Sequence, residues 1–191
     1  MNSDSANLQA LIDGCKNGDK VCQRKVYEQL YNQMLGVSLR YMGNMDDAKD
    51  VLHEGFIKVF TNMNKYSDDG SFIGWVKKII SNTAIDEIRR LSNSKTRTDS
   101  DLIENKSFEL EEENYNWFED NNVTPDRIQE EIQNLSPAYR TVFNMYVIEG
   151  YTHIEIADYL NISVGASKSN LSKAKARLKE TLTNLIEKVN S

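Results

Sequence analysis

Thr152-His-Ile-Glu-Ile-Ala-Asp-Tyr-Leu-Asn-Ile-Ser-Val-Gly-Ala-Ser-Lys-Ser-Asn-Leu171 is the stretch whose reading decides the fold. Thr152 and Glu155 have the spacing of a capping box, in which hydroxyl and carboxylate each satisfy the other's free backbone N–H at a helix start. A helix over residues 152–160 follows. Asn161 is a residue that tolerates the left-handed conformation needed to turn the chain sharply. Ser163 then caps a long last helix over residues 164–189. Helix, tight turn, helix is the layout of a helix-turn-helix. Ala157 is small where the two helices must cross closely. Ile154, Leu160, Ile162, Leu171, Ala174 and Leu178 are expected to form the joint core. The second helix is then expected to expose Lys168, Ser169, Asn170, Ser172, Lys173, Lys175 and Arg177. Ser and Asn can contact base edges or phosphates, and Lys and Arg neutralise phosphates, so this face suits DNA.

Upstream of this stretch, Thr124-Pro125 and Ser136-Pro137 are cap-then-proline starts, since proline is tolerated at the first helical position. They open helices over residues 125–134 and 137–149, the second ended by Gly150. Further back, residues 93–123 hold few apolar side chains and no sustained period, which predicts a flexible, solvated linker. The N-terminal part returns to helical periodicity. A short helix over residues 8–14 precedes one that Asp19 caps and that runs to residue 42, with Val26, Leu30, Met34 and Val37 recurring at helical spacing. The next starts at Asp46 or Asp47, with Ala48, Leu52, Phe56, Val59 and Met63 on its apolar side and Asp47, Asp50, Glu54 and Lys58 opposite. Ser71 caps a fourth over residues 72–91, with Val76, Ile79, Thr83 and Ile88 inward. The reading is all-α: two helical domains, residues 1–92 and 124–191, joined by the linker 93–123.

The net charge of −6 argues against a nucleic-acid binder taken as a whole. Its distribution does not. Residues 71–97 carry six bases against two acids, and residues 163–191 again six against two. Residues 99–131 carry twelve acids and two bases. Exposed charges more than about 8 Å apart are largely screened at physiological salt, so local patches outweigh the total. Cys15 and Cys22 are too few for a disulfide framework, and with only His53 and His153 beside them no zinc site is expected. There is no nucleophile-with-base arrangement and no glycine-rich phosphate loop, so neither an enzyme nor a cofactor is expected. No apolar run approaches the roughly 20 residues that span a bilayer. The polar N-terminus lacks a signal-peptide layout, and a cytoplasmic protein is expected.

Three motifs carry a family resemblance. Asp47-Ala-Lys-Asp-Val-Leu-His-Glu-Gly-Phe-Ile-Lys-Val-Phe60 resembles the segment by which bacterial RNA polymerase sigma factors dock on the clamp coiled coil of core polymerase. Phe72-Ile-Gly-Trp-Val-Lys-Lys-Ile-Ile-Ser-Asn-Thr-Ala-Ile-Asp-Glu-Ile-Arg-Arg90 resembles the helix that reads and melts the −10 element. Residues 135–146 and 150–178 resemble the domain that reads the −35 element. The order and separation match the two-domain, extracytoplasmic-function kind of sigma-70 factor. The resemblance implies a polymerase-binding face at Asp47, Asp50, His53 and Glu54. It implies −10 contacts from Lys77, Lys78, Asn82, Arg89 and Arg90, with the loop 64–71 helping to hold an extruded base, and −35 contacts from the α-helical face named above. Where the family commonly has Arg before the Asn, this chain has Ser81, which removes a phosphate contact. Where it commonly has Thr-Val in the recognition helix, this chain has Ala166-Ser167.

The partners so implied are core RNA polymerase through its clamp coiled coil and flap, promoter DNA, and an anti-sigma factor, with no membrane insertion. The alternative is a helix-turn-helix regulator that binds DNA without polymerase; it accounts for the C-terminal half but not for residues 47–60 and 72–90.

Overall fold

A computed structural model of the chain describes residues 3–67, 70–94 and 124–189. The described residues form eight α-helices and no strand: α1 Ser3–Lys16, α2 Lys20–Met42, α3 Met45–Thr61, α4 Phe72–Ser94, α5 Pro125–Asn134, α6 Pro137–Phe143, α7 His153–Leu160 and α8 Val164–Val189. The chain divides into two compact units that part between Ile88 and Arg89. Asn93 and Ser94, the first two residues of the expected linker, still belong to α4. Residues 95–123, which hold the rest of it, lie outside the described residues.

Local chemistry sets the helix ends of the first unit. Gly18 turns the chain after α1 with a positive φ of 77°. Asp19 accepts from the backbone N–H of Val21 and Cys22 and starts α2, and Gly43 ends it in the left-handed region. Asn44 caps α3 by accepting from Asp47 N, so the helix starts at Met45, one residue before the expected Asp46. The helix α1 is longer than its apolar spacing predicts, because polar residues ahead of Leu8 continue it. The core takes Leu11, Ile12, Val26, Leu30, Met34, Val37, Leu52, Phe56, Val59, Met63, Val76 and Ile80. On α4 the inward register is Val76, Ile80, Thr83, Ala84 and Ile85; Ile79 and Ile88, expected inward, are half-buried.

In the second unit Arg140 is buried and donates to the carbonyls of Gln133 at 2.7 Å and Leu135 at 3.5 Å. It thereby satisfies the otherwise open C-terminal end of α5. Burial lowers its pKa from the ordinary guanidinium value. The helix α6 does not run on as α-helix to residue 149: Asn144–Ile148 is a π-turn, closed by Glu149 N donating to Asn144 O at 3.0 Å. The wider turn keeps Met145 in the core and leaves Tyr146 and Val147 outside.

Gly55 marks the close crossing of α3 and α4. A Cβ there would collide with the Ile80 side chain and sit 3.5 Å from its Cα. Gly55→Val is expected to cost about 1–3 kcal/mol by overpacking, read as a lower urea midpoint in circular dichroism. An unchanged midpoint would mean that the two helices part freely.

Cys15 is buried and Cys22 half-buried; both are free thiols. Burial, with Cys22 and Asp19 nearby, pushes the Cys15 thiol up to about 11. Burial and a hydrogen bond to Asp19 also raise Cys22. A raised thiol pKa keeps the reactive thiolate scarce, about one Cys15 in a thousand at pH 8. Native protein is therefore expected to react slowly with a thiol reagent at that pH, Cys22 before Cys15, and quickly in concentrated guanidinium. Fast labelling of native Cys15 would contradict its burial.

Candidate polymerase and nucleic-acid interfaces

The outward side of α3 is acidic. Asp46, Asp50 and His53 follow one another at i, i+4 and i+7 and share one stripe, with Glu54 at its edge; all four are exposed. Asp47, expected in the polymerase-binding set, has another task. Its carboxylate accepts from Asn44 Nδ2 at 2.7 Å while its N–H donates to Asn44 Oδ1 at 2.9 Å. A carboxylate in the first turn is also favoured by the helix dipole. His53 lies parallel to the Tyr27 ring, centroids 6.2 Å apart. Glu54 pairs with Lys58 at 2.9 Å, and the same ammonium stands 3.8 Å from Asp86 on α4. Sequence reasoning had not connected Lys58 with Asp86, which are far apart in the chain.

On α4, Lys78, Asn82 and Arg89 fall at i, i+4 and i+11 and share a side; Lys78 and Arg89 are exposed and Asn82 is half-buried. Lys77 and Arg90 lie about a third of a turn to either side. The five −10 candidates are therefore a broad band, not one row. Ser81 is only 1% exposed. Position 81 is a core position in this chain.

The helix begins where Ser71 Oγ accepts from Gly74 N at 3.2 Å. Ahead of it, Tyr66 donates to Gly70 O at 2.7 Å. Its ring packs on Phe72 and Trp75, centroids 5.3 and 5.4 Å away. Phe72 is buried and Trp75 half-buried against the core, so both pack as core residues. The cluster ties the described part of the loop to the start of α4. Asn82 stands about 16 Å further along the helix axis, at 1.5 Å per residue from Ser71.

The helix-turn-helix has the expected joints. Thr152 Oγ1 accepts from Glu155 N at 3.3 Å, and Glu155 Oε2 accepts from Thr152 N at 2.8 Å. Asn161 is left-handed, with φ 56° and ψ 45°. Ser163 Oγ accepts from Ala166 N at 3.0 Å and starts α8. The core between α7 and α8 differs in one member. Ile154 is 66% exposed, and Ile156, fully buried, takes the inward place. Leu171, Ala174 and Leu178 are buried as expected, while Leu160 and Ile162 are half-buried. A polar contact absent from the sequence reading locks the two helices: His153 Nδ1 and Ser167 Oγ are 2.9 Å apart, with Ser167 fully buried. The His153 ring stacks on Tyr146, centroids 4.5 Å apart. Ser167 is thus a packing residue.

The exposed side of α8 is narrower than expected. Lys168, Ser172, Lys175 and Lys179 recur at i, i+4, i+7 and i+11 and form one row; the three lysines are exposed and Ser172 is half-buried. Asn170 and Lys173 are half-buried and, like Arg177, lie roughly half a turn from Lys168. Ser169 is 6% exposed and is not offered to DNA. Arg177 comes out about half a turn from Lys168. It pairs with Glu180 at 3.3 Å and lines a groove with Glu131, Leu135 and Tyr139. Val164 and Gly165, exposed at the start of α8, extend the row toward the turn and were missed, because neither residue type signals binding.

Among the described residues no group of His, Cys, Asp and Glu could hold a metal ion, and no helix is long and apolar enough to cross a membrane. The description "Sigma-70 region 2" matches residues 26–94, and "Sigma-70, region 4" matches residues 126–178. The ECF RNA polymerase sigma factor SigW of Bacillus subtilis is 25% identical over 93% of this chain and 98% of its own length. The RNA polymerase sigma-H factor of Pseudomonas aeruginosa is 23% identical over 93% and 95%. Among solved structures, the sigma factor RpoE bound to the anti-sigma factor NepR from Bartonella quintana is 16% identical, with a TM-score of 0.47, over 84% of this chain and 96% of that one. Region 2 falls on the unit that carries the acidic α3 and the basic α4, region 4 falls on the helix-turn-helix, and together they span more than half of the sequence: the chain belongs to the sigma-70 family of RNA polymerase sigma factors, in its extracytoplasmic-function group.

Proposed function

We propose that this sigma factor divides its work among three faces. The α3 stripe of Asp50, His53 and Glu54 meets core polymerase, with Asp47 holding the helix start. The α4 band of Lys77, Lys78, Asn82, Arg89 and Arg90 holds the −10 strand. The α8 row of Lys168, Ser172 and Lys175 holds the −35 element. Residues 1–92 then act as the polymerase-binding and melting part and residues 124–191 as the −35 reader. The observation that carries the reading is the lysine row of α8, exposed on a helix that a capped, left-handed turn sets against α7. Phosphate contacts of this kind fix register and orientation, and base edges then supply the sequence preference.

Promoter opening pulls a base from the stack at a cost of a few kcal/mol, and holding it returns part of that. Asn82 offers a donor and an acceptor for a base edge. An acidic whole with basic faces suits a factor that reaches DNA as part of the polymerase complex. We infer that an anti-sigma factor is the second partner and that the protein acts in the cytoplasm, where polymerase is. A DNA-binding regulator independent of polymerase is not favoured, since the region 2 match covers residues 26–94.

The direct test is run-off transcription of fragmented genomic DNA with core polymerase, with and without the protein. New discrete 5′ ends that require it are expected, and their alignment gives both promoter elements. Tight promoter binding by the protein alone with no new transcripts would overturn the reading.

On a promoter so found, Lys168→Ala and Lys175→Ala are each expected to weaken binding by the polymerase complex and to lower its salt slope by roughly one. Arg177→Ala is expected to leave the slope unchanged. The reverse pattern, in titrations across potassium chloride, would move the −35 face to the Arg177 side of α8.

A further inference from the structure

Ile57 is the anomaly of α3. It is 66% exposed, more than any other large apolar residue of α3: Val51, Leu52, Phe56 and Val59 are buried, Phe60 is half-buried and Met45, in the first turn, is 45% exposed. It stands roughly half a turn from Ala48, Leu52 and Val59, so the fold makes no use of its side chain. Its position on the outward face is specific. Asp50, His53 and Ile57 run at i, i+3 and i+7 along one stripe, with Glu54 beside them. An exposed isoleucine standing alone needs no explanation, but one that extends a row of charges on a binding helix does.

We propose that Ile57 is the affinity anchor of the α3 face, entering an apolar socket in the basic surface of core polymerase while the carboxylates around it steer the approach. The inference rests on the reading that α3 docks on polymerase. Charge complementarity selects the occupant: Asp46, Asp50 and Glu54 require a basic surface, and the same acids repel DNA. The division of labour follows from two physical differences. Exposed charges act over a Debye length, so they govern the rate of encounter and its salt dependence. An apolar side chain acts only at contact, so it governs how long the complex lasts. A β-branched side chain on a helix is already confined to one main χ1 rotamer, and ordering it on binding costs little. A few side chains that fill pockets on the partner carry most of an interface's energy, surrounded by near-neutral contacts.

The experiment is association and dissociation kinetics of the full chain with core polymerase at two salt concentrations, for the wild type, Ile57→Ala and Asp50→Asn. Ile57 is exposed and alanine favours helix, so an unchanged melting curve is expected and folding does not confound the result. Ile57→Ala is expected to speed dissociation at least ~10-fold at both salt concentrations, with association within about two-fold of wild type. Asp50→Asn is expected to slow association and flatten its salt dependence, leaving dissociation nearly unchanged. Wild-type dissociation of Ile57→Ala overturns the anchor role while leaving α3 docking intact. Wild-type kinetics of both variants, with polymerase still bound, would instead remove α3 from the interface.

Discussion

The first unit depends on how closely α3 can approach α4. Gly55 lets the two backbones cross where any side chain would run into Ile80. Helices with alanine or larger at their contact usually lie 8–10 Å apart, and a glycine permits the near end of that range. The crossing directs the remaining surface of each helix outward. On α3 the outward surface is acidic, and on α4 it is basic. Two helices crossing back to back thus present predominantly opposite charges on separate sides.

The second unit solves a different problem, which is to hold a long helix at a set angle on a short one. α7 has eight residues, too few to be stable alone. The capping box at its start, the left-handed Asn161 at its end and the His153–Ser167 contact supply what its length does not. Ser167 is wholly buried, and a buried hydroxyl must find a partner. His153 provides one, and its own ring is held flat against Tyr146. The hydroxyl can donate or accept, so the pair survives either ring tautomer. The π-turn ahead of α7 places Tyr146 where this stack forms. Three local departures from plain helix thus combine to orient α8.

What the sequence made legible was chemistry that acts over a few residues. Asp19, Ser71, Thr152 with Glu155, Asn161 and Ser163 cap or turn as their residue types predict, because a cap needs only its own first turn, whereas Thr124 and Ser136 stand at the N-cap positions of α5 and α6 without a side-chain capping hydrogen bond. The long apolar stripe of α3 was legible for a related reason: Ala48, Leu52, Phe56 and Val59 repeat often enough to fix the phase, while Met63, expected on the same helix, is buried from the 3-10 turn that follows it. The helix α7 is too short for that. Ile154 and Ile156 are both isoleucines in an eight-residue helix, and only the position of α8 decides which one is inside. Ile79 and Ile80 pose the same choice on α4, and Gly55 settles it by packing on Ile80. Ser81, Ser167 and Ser169 look like surface serines until neighbouring elements cover them. The site residues that sequence reasoning misplaced are those whose exposure depends on tertiary phase.

Lys58 shows how opposite faces can share one small domain. It sits at the edge of α3, 2.9 Å from Glu54 and 3.8 Å from Asp86. Asp86 is an acid on the basic side of α4, where it would repel a phosphate. Glu54 is an exposed acid of the α3 face. An exposed pair of this kind contributes little to stability, about 0–1 kcal/mol. Its consequence is local charge. One ammonium between two carboxylates reduces the negative potential where the α3 and α4 surfaces meet, within the distance over which salt does not screen it. The acidic face then ends before the basic one begins, and an overall acidic protein keeps a surface that DNA can approach.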